Sequence, residues 1–307
     1  MSDNKILVIR GGAIGDFILT LPVLTALRAQ FPQTRLEVLG YPHIAQLAVA
    51  GGLSDAVRAI DARPLAGFFA RNGPLDPALE EYFSGFPIVI SYLFDPDGFF
   101  QANVARCTKA QFLVGPHRPD ETAGLHATKV FLKPLERLAI FDADAEPKLS
   151  LSTPTPLNQI ALHPGSGSER KNWPEKYWAE LLHQLSAQTP LNFLLVGGEA
   201  EGDRLERLAS ALPPARRAIA RNLPLPELAL RLRASRAFLG HDSGITHLAA
   251  AVGLPGLVLW ADTAEAVWRP PSARLKILRD AHGLQKLPVT TVRAELENLL
   301  RQTHAAW

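Results

Sequence analysis

Short, continuous apolar runs alternate along this chain with stretches whose apolar residues recur at helical spacing. The run ILVI at residues 6–9 is apolar throughout, as in a strand buried on both faces of a parallel sheet. After it, Phe17, Leu21, Leu24 and Leu27 recur at spacings that give a helix one apolar face. This alternation predicts an α/β fold in which helices cover a parallel sheet.

The same alternation starts again near the middle of the sequence, which predicts a second domain. The segment TPTP at residues 153–156 favours extended chain and is interpreted as a linker, and the strand QIALH at residues 159–163 follows it. We expect two tandem Rossmann-like domains of the α/β class, residues 1–155 and 156–307, with parallel sheets facing a central cleft. Ligands should bind at the carboxyl ends of the strands. We allow for the last helix to pack back on the first domain.

Several elements can be predicted individually. Further strands are expected at residues 36–39, 88–90, 112–114, 193–196, 237–239 and 257–259. Helices are expected up to Gln30, within 124–141, and at 175–187, 201–211, 225–233 and 245–252. Pro22 should kink the first helix or start a second segment, because proline removes a helical hydrogen bond. The stretch 62–77 contains several glycines and prolines and is expected to be a long loop.

Composition excludes several classes of protein. With 47% hydrophobic and 20% charged residues, the chain of 307 residues can bury two cores and is not expected to be disordered. A net charge of +2 does not indicate a nucleic-acid-binding protein. The lone Cys107 excludes an intramolecular disulfide and fits a reducing cytoplasm. We expect no signal peptide and no membrane-spanning helix, since no run approaches the required length of about 20 apolar residues.

The first candidate site is the turn RGGAIGD at residues 10–16, which follows a strand and opens a helix. The spacing of Gly11, Gly12 and Gly15 does not match the dinucleotide fingerprint, and Asp16 would repel a pyrophosphate. Asp16 could instead take a proton from a hydroxyl group. The alternative is that Asp16 only caps the N-terminus of the helix.

The second candidate site is the loop HPGSGSERKNWP at residues 163–174, which leads from a strand into a helix opened by Pro174. Its backbone N–H groups, together with Ser166 and the cation of Lys171, would bind a diphosphate. The alternative is a flexible turn with solvated charges.

The third candidate site is GHDSGITH at residues 240–247, between an apolar strand and a helix of small residues. A helix N-terminus offers free N–H donors and partial positive charge, which suits a phosphorylated ligand. The aspartate would accept from a sugar hydroxyl or cap the helix, and the second histidine would donate to phosphate or simply pack. The donor-binding residues assigned here are Asp242, Ser243, Gly244, Ile245 and His247.

Two acidic segments have separate interpretations. The segment DPD at residues 95–97 resembles the acidic pair of metal-dependent sugar transferases, but its proline and the glycine after it favour a turn. Acids after the strand at residues 193–196 could accept from ribose hydroxyls or cap a helix. Glu199 is our donor-binding candidate, with Glu201 and Asp203 left open.

In this order the motifs resemble those of the heptosyltransferase-like glycosyltransferase family nine, whose members have the GT-B fold. The resemblance covers the chain from about residue 5 to residue 271 and is loose in the middle. The matching positions are residues 9–16 with 20–22, residues 163–166 with Lys171, Trp173 and Pro174, residues 195–198, and residues 242–244 with 247–251.

The resemblance implies transfer of a sugar, typically L-glycero-D-manno-heptose, from its ADP derivative to the lipopolysaccharide inner core. Transfer in this family is inverting and needs no metal held by an acidic pair, and we expect no cofactor. By this resemblance Asp16 is the general base, Lys171 binds the diphosphate, and residues 242–244 with His247 form the donor-binding turn.

This chain also departs from the family pattern. The segment WADTA at residues 260–264 replaces an aromatic-Gly-Pro-Thr-Asp-Pro loop, and Gly11-Gly12 stand where a serine is common. These differences leave the sugar and the acceptor open.

We therefore expect an inverting, metal-independent glycosyltransferase with a nucleotide-diphosphate sugar as donor and an anionic glycolipid as acceptor. ADP-heptose is the favoured donor. Residues 101–140 contain six Lys/Arg against three acids, which suits such an acceptor or an ordinary solvated surface. The protein should be cytoplasmic, and we allow for peripheral contact with the inner membrane. The alternatives are another GT-B transferase, a sugar-nucleotide epimerase or a non-catalytic nucleotide-sugar binding protein. A Rossmann dehydrogenase is disfavoured because its glycine fingerprint is missing.

Overall fold

The computed structural model describes residues 4–304, with side chains to residue 302, and divides into two compact units between Leu149 and Ser150. The division lies a few residues before the expected boundary at 155/156. The prolines of residues 153–156 therefore belong to the second unit. Each unit is built around a parallel sheet with helices, as the alternating pattern predicts.

The first unit contains a five-stranded sheet within the described residues. Its strands are β1 (Lys5–Arg10), β2 (Arg35–Gly40), β3 (Ala56–Ala59), β4 (Ile88–Ser91) and β5 (Gln111–Val114). They lie in the order β3-β2-β1-β4-β5, and all neighbours are parallel. The helices are α1 (Ile14–Gln30), α2 (Pro42–Ala50), α3 (Pro77–Ser84), α4 (Phe99–Cys107) and α5 (Ala127–Leu132).

The second unit contains a six-stranded parallel sheet over the same described range. Its strands are β6 (Gln159–His163), β7 (Asn192–Gly197), β8 (Arg217–Arg221), β9 (Ala237–His241), β10 (Gly256–Leu259) and β11 (Leu275–Leu278). Their order is β11-β10-β9-β6-β7-β8. The helices are α6 (Glu175–Gln188), α7 (Arg204–Ser210), α8 (Leu225–Arg233), α9 (Gly244–Ala251), α10 (Glu265–Trp268) and α11 (Val289–His304).

The strands that the sequence pattern did not reveal are β3, β8 and β11, and all three lie at sheet edges. Each of these strands has at least one exposed position and at least two of intermediate exposure. A strand that is covered on both faces needs a continuous apolar run, whereas an edge strand does not. The missing signal is therefore a consequence of their position in the sheet.

The alternative in which Pro22 starts a second helical segment is wrong, because α1 continues through it to Gln30. The helix is buried nearly all round, with ten buried residues from Phe17 to Leu27. A proline inside a helix costs about 3 kcal/mol. Burial of several large apolar side chains, at about 1.5–3 kcal/mol each, outweighs that cost.

The stretch 62–77 is not an irregular loop throughout, because Arg63–Phe69 forms a 3-10 helix. The buried amide of Asn103, on α4, fixes its end by donating to the carbonyl oxygens of Phe68 at 3.0 Å and Ala70 at 2.8 Å. A buried side-chain donor thus replaces the backbone partners that regular structure would supply.

The last helix, α11, packs on other elements of the second unit. Its contacts are with α6, β9 and β10, and Val292 and Leu296 are fully buried in that unit's core. In the part of the chain that the structure describes, no helix combines the length and apolar character needed to span a membrane.

Replacing Asn103 by alanine should destabilise the first unit by about 2–3 kcal/mol, because buried carbonyl oxygens lose their donor. Hydrogen exchange measured by mass spectrometry should show faster exchange in residues 63–74. The control is Gln101→Ala, an exposed position on the same helix. Equal exchange in the two variants would contradict the assigned role of Asn103.

Candidate functional site

Both sheets have the same reversal of strand order at their centre. The first strand of each unit pairs with the second strand on one side and the fourth on the other, so β1 lies between β2 and β4, and β6 between β7 and β9. At such a switch point the connections leave in opposite directions and open a crevice at the carboxyl ends of the strands. The predicted turns at residues 10–16, 163–174 and 240–247 all lie at these ends.

The first unit has a pocket of about 390 Å³ at its switch point. Loops that follow all the strands of the sheet contribute to it. The lining residues are Arg10, Gly11, Gly12, Asp16, Tyr41, Ile60, Asp61, Phe69, Tyr92, Leu93, Phe94, His117 and Arg118. Gly15 lies in the first turn of α1 and is not part of this lining.

Asp16 caps helix α1 and also lines the pocket. Its Oδ2 accepts from the backbone N–H of Ala13 at 3.1 Å, and its side chain remains 24% exposed. Gly12 has φ +95°, and a Cβ there would lie 2.9 Å from Asp16 Oδ2. A residue with a side chain would therefore be strained at position 12. The two interpretations of Asp16, cap and pocket acid, are compatible because its two oxygens face different partners.

Arg10 belongs to the predicted turn at residues 10–16 and lines the pocket, but no role of its own was predicted for it. Its guanidinium is buried at the end of β1, donates to the carbonyl oxygen of His117 at 2.8 Å, and lies 3.7 Å from Asp16 Oδ1. It also lies over the ring of Phe131, 4.5 Å from the centroid. Burial lowers the pKa of Arg10, and the charge of Asp16 opposes that shift. A charged residue that directly follows an apolar strand was the available signal.

Aromatic side chains form the rim of the same pocket. Phe94 is 67% exposed and Phe69 45% exposed, which is unusual for large apolar residues. The ring of His117 lies 4.6 Å from that of Phe94. Exposed rings beside polar groups suit a ligand with both apolar and hydroxyl-bearing surfaces.

In the second unit the structure brings the loops after β6 and β9 together. Lys171 Nζ lies 3.1 Å from Asp242 Oδ2, and this carboxylate side chain is only 10% exposed. The lysine predicted to bind a diphosphate and the acid predicted to contact a sugar are therefore already paired. Both were assigned to donor binding from the sequence, in two separate candidate sites, but their contact was not predicted.

Helix α9 begins next to this ion pair. Ser243 is its N-cap, and its Oγ accepts from the backbone N–H of Thr246 at 3.3 Å. Gly244 and Ile245 open the helix, where N–H groups lack intrahelical acceptors. His247 is 5% exposed near the start of the same helix. These four residues and Asp242 thus form one turn, as expected from their spacing.

The two remaining donor-binding candidates, Ser166 and Glu199, are not in the turn formed by residues 242–247. The hydroxyl of Ser166 lies 2.7 Å from Asn172 Oδ1 and 2.9 Å from the carbonyl oxygen of Ser168, within its own loop. Glu199 is exposed, whereas Glu201 is buried and its Oε2 accepts from the N–H of Gly198 at 2.5 Å. Glu201 is therefore the acid that reaches inward.

The turn interpretation of residues 95–97 is confirmed. Asp95 accepts from the backbone N–H groups of Phe100 at 3.2 Å and Gln101 at 3.0 Å, so it serves the first turn of α4. Within the described residues no three His, Cys, Asp or Glu side chains come together as metal ligands.

Two histidines of the predicted second-unit motifs, His163 and His241, are buried, and no role was predicted for either of them from the sequence. His241 accepts the backbone N–H of Trp173 at its Nε2, at 2.8 Å, and its Nδ1 lies 3.3 Å from the carbonyl oxygen of Gly165. His163 lies between Ser243 and Glu201. Burial lowers the pKa of His241 to about 3, and burial also holds the pKa of His163 well below 6.5 although Glu201 opposes this. Both imidazoles are therefore neutral near neutral pH.

Two Rossmann-like units, each with a site at its switch point, define a protein of the GT-B class. The sequence model of glycosyltransferase family 9 (heptosyltransferase) matches residues 131–295, more than half of the chain. The chain therefore belongs to glycosyltransferase family 9.

Individual relatives agree with this family. Lipopolysaccharide heptosyltransferase 1 of Pseudomonas aeruginosa is 33% identical over 149 residues, which cover 48% of this chain and 41% of that protein. Lipopolysaccharide heptosyltransferase 3 of Escherichia coli K12 is 22% identical over 305 residues, covering 89% and 87%. The matched region thus spans about two fifths of the first of these relatives.

Solved structures show the same fold. A glycosyltransferase family 9 protein of Veillonella parvula superposes with a TM-score of 0.78 at 17% identity, covering 98% of this chain and 99% of that one. The E. coli heptosyltransferase WaaC with ADP-2-deoxy-2-fluoro heptose gives a TM-score of 0.75 at 19% identity, covering 96% and 99%. The expected fold class of two tandem Rossmann-like domains is confirmed.

The buried histidines predict a pH dependence of stability. Their pKa values are lower in the folded state than in the unfolded chain, so below about pH 6.5 the unfolded chain binds more protons and stability falls. By about pH 5 the loss should reach about 2 kcal/mol for each histidine. All five tryptophans lie at or after Trp173, so urea unfolding followed by tryptophan fluorescence reports on the second unit.

The test compares the slope of unfolding free energy against pH in wild type and His241→Gln. Glutamine can still accept the Trp173 N–H but does not titrate. The variant should have the shallower slope between about pH 7 and about pH 5. The control is His183→Gln, which replaces a histidine on the α6 helix. An unchanged slope in His241→Gln would contradict the buried-neutral assignment.

Proposed function

We propose that this chain is an inverting, metal-independent glycosyltransferase that moves a heptose from ADP-heptose to a lipopolysaccharide core or related glycan acceptor. The observation that carries the proposal is the carboxylate of Asp16 in a pocket of about 390 Å³ at the switch point of the first sheet. Family membership supports this choice of donor, as does the ADP-2-deoxy-2-fluoro heptose of the related WaaC structure.

The second unit suits the nucleotide-sugar donor. A leaving nucleoside diphosphate gains negative charge as its bond to the sugar breaks, and it needs cations and N–H donors at that point. Lys171 and the first turn of α9 supply both. Asp242 neutralises Lys171 in this structure, and on donor binding the lysine would turn to the diphosphate while Asp242 accepts from sugar hydroxyls.

The first unit suits the acceptor. Asp16 removes the proton from the acceptor hydroxyl as its oxygen attacks the anomeric carbon. The new C–O bond forms on the face opposite the leaving diphosphate, the old C–O bond breaks, and the configuration inverts. The cation of Arg10 lies 3.7 Å from Asp16 Oδ1 and compensates the charge of the carboxylate, which is the form that accepts the proton.

An anionic glycolipid fits the lining of the acceptor pocket. Arg118 brings positive charge to it, while Arg10 is paired with Asp16 and Asp61 also lines the pocket. Phe69 and Phe94 bring exposed apolar surface. Such an acceptor would place the reaction at the cytoplasmic face of the inner membrane, with peripheral contact by the first unit. The alternatives remain a different nucleotide sugar, epimerisation, and binding without turnover. The first and the last of these are outcomes of the following experiments.

A thermal-shift panel of ADP-, UDP- and GDP-sugars should show stabilisation by ADP-heptose, because a ligand that binds the folded state raises its melting temperature. Lys171→Ala should weaken binding about tenfold or more through loss of a charge-assisted hydrogen bond. Lys176→Ala, an exposed cation nearby on α6, should bind as wild type does. Stabilisation by UDP-sugars alone would overturn the donor assignment.

Asp16→Asn should lower kcat by about 100-fold or more while leaving the Kd for ADP unchanged, since the amide keeps the cap but cannot take a proton. The matched control is Asp61→Asn, another acid of the same pocket, which should retain kcat. Steady-state transfer to an anionic glycolipid acceptor measures both. Near-wild-type kcat in Asp16→Asn would rule out its role as the base, and donor binding without turnover in wild type would indicate a binding protein.

A further inference from the structure

His163 lies at the end of the middle one of three neighbouring strands in the second unit. It is the last residue of β6, and β6 lies between β9, which leads to Ser243, and β7, which leads to Glu201. Its Nδ1 lies 3.2 Å from Ser243 Oγ, and its Nε2 lies 3.7 Å from Glu201 Oε1. The imidazole thus connects two loops that are distant from one another in sequence.

The cluster is buried and closely packed. The side chains of His163 and Glu201 are 6% and 5% exposed. A Cβ at Gly165 would lie 1.9 Å from Glu201 Oε1, so glycine is required there for the carboxylate to reach its position. Glu201 is anchored by the N–H of Gly198 as well. A buried carboxylate held in this way has a fixed direction of charge.

The Glu201 carboxylate lies 3.7 Å from His163 Nε2, beyond hydrogen-bond distance, and its charge biases which imidazole nitrogen carries the proton. Glu201 faces Nε2 and favours the proton on that nitrogen, so Nδ1 is left as an acceptor. The Ser243 hydroxyl can then donate to Nδ1 while its oxygen accepts from the N–H of Thr246. The Ser243 hydroxyl then uses both its O–H donor and its oxygen acceptor in hydrogen bonds within the protein.

We propose that Glu201, His163 and Ser243 form a positioning relay that fixes the N-cap of α9 and so holds the donor-binding turn in place. The proposal rests on the proposed function for its consequence in donor binding. It makes Ser243 a cap whose proton is directed inward, so that the diphosphate is bound by backbone N–H groups of the turn and by Lys171. His163 and Glu201 act through Ser243 and do not contact the donor.

The first test needs no ligand. With ¹⁵N-labelled histidine, the His163 resonances are assigned among the nine histidines by their loss in His163→Asn. Wild type should show a protonated Nε2 and an unprotonated Nδ1, and Ser243→Ala should shift the Nδ1 resonance. A proton on Nδ1, or an Nδ1 resonance unaffected by Ser243→Ala, would overturn the relay whether or not the protein binds a nucleotide.

The second test is a double-mutant cycle on the Kd for ADP. Ser243→Ala and His163→Leu should each raise the Kd for ADP about fivefold. The Kd of the double variant should not exceed the larger of the two single-variant values, because both substitutions act through one cap. His163→Asn, which places an amide oxygen near the Nδ1 position, should restore most of the affinity. Additive losses, or no rescue by asparagine, would overturn the proposal.

The two tests separate this relay from the proposed function. If the wild-type tautomer is as stated but ADP does not bind, the proposed function fails, and the same cycle is then measured on urea unfolding of the second unit. Additive losses of stability there would overturn the relay. If the His163→Leu substitution prevents folding, the resonance shift in Ser243→Ala decides the question.

Discussion

The reversal of strand order at the centre of each sheet is the constraint on which both sites depend. Because every strand is parallel to its neighbours, all carboxyl ends meet at one edge, and the reversal separates the connecting segments there. In the first unit, loops after all the strands converge on the pocket around Asp16. In the second unit, the same geometry brings Lys171 to Asp242 and Ser243 to His163.

Charged side chains in both sites are compensated within the protein itself. Arg10 lies beside Asp16 in the first unit, and Lys171 pairs with Asp242 in the second. A partly buried charge without a partner would be costly, and an opposite charge nearby reduces that cost. Each site thus holds a carboxylate with a cation beside it.

Buried polar residues under the second-unit site give the glycine-rich loops their shape. His241 accepts the N–H of Trp173, and Glu201 accepts the N–H of Gly198, so both loops are bonded to buried side chains. Buried polar groups of this kind are stable only when hydrogen-bonded. They hold backbone groups of these loops in fixed positions. The loop at residues 163–174, for which a flexible turn was the alternative interpretation, is therefore fixed by a hydrogen bond to a buried side chain.

The sequence by itself determined the fold class, the central strands and the turns that carry the sites. Runs such as residues 6–9 are apolar because both faces of a central strand are covered, and α8 matches its predicted bounds because its apolar spacing is local. Only the tertiary structure decided the rest. Pro22 remains in a helix because the surrounding core outweighs its cost, edge strands lack an apolar run, and Arg10 meets His117 across 107 residues of sequence. Short-range sequence patterns indicate which residues are buried and where the chain turns. The hydrogen-bond partners of a buried polar group depend instead on how elements distant in sequence pack together.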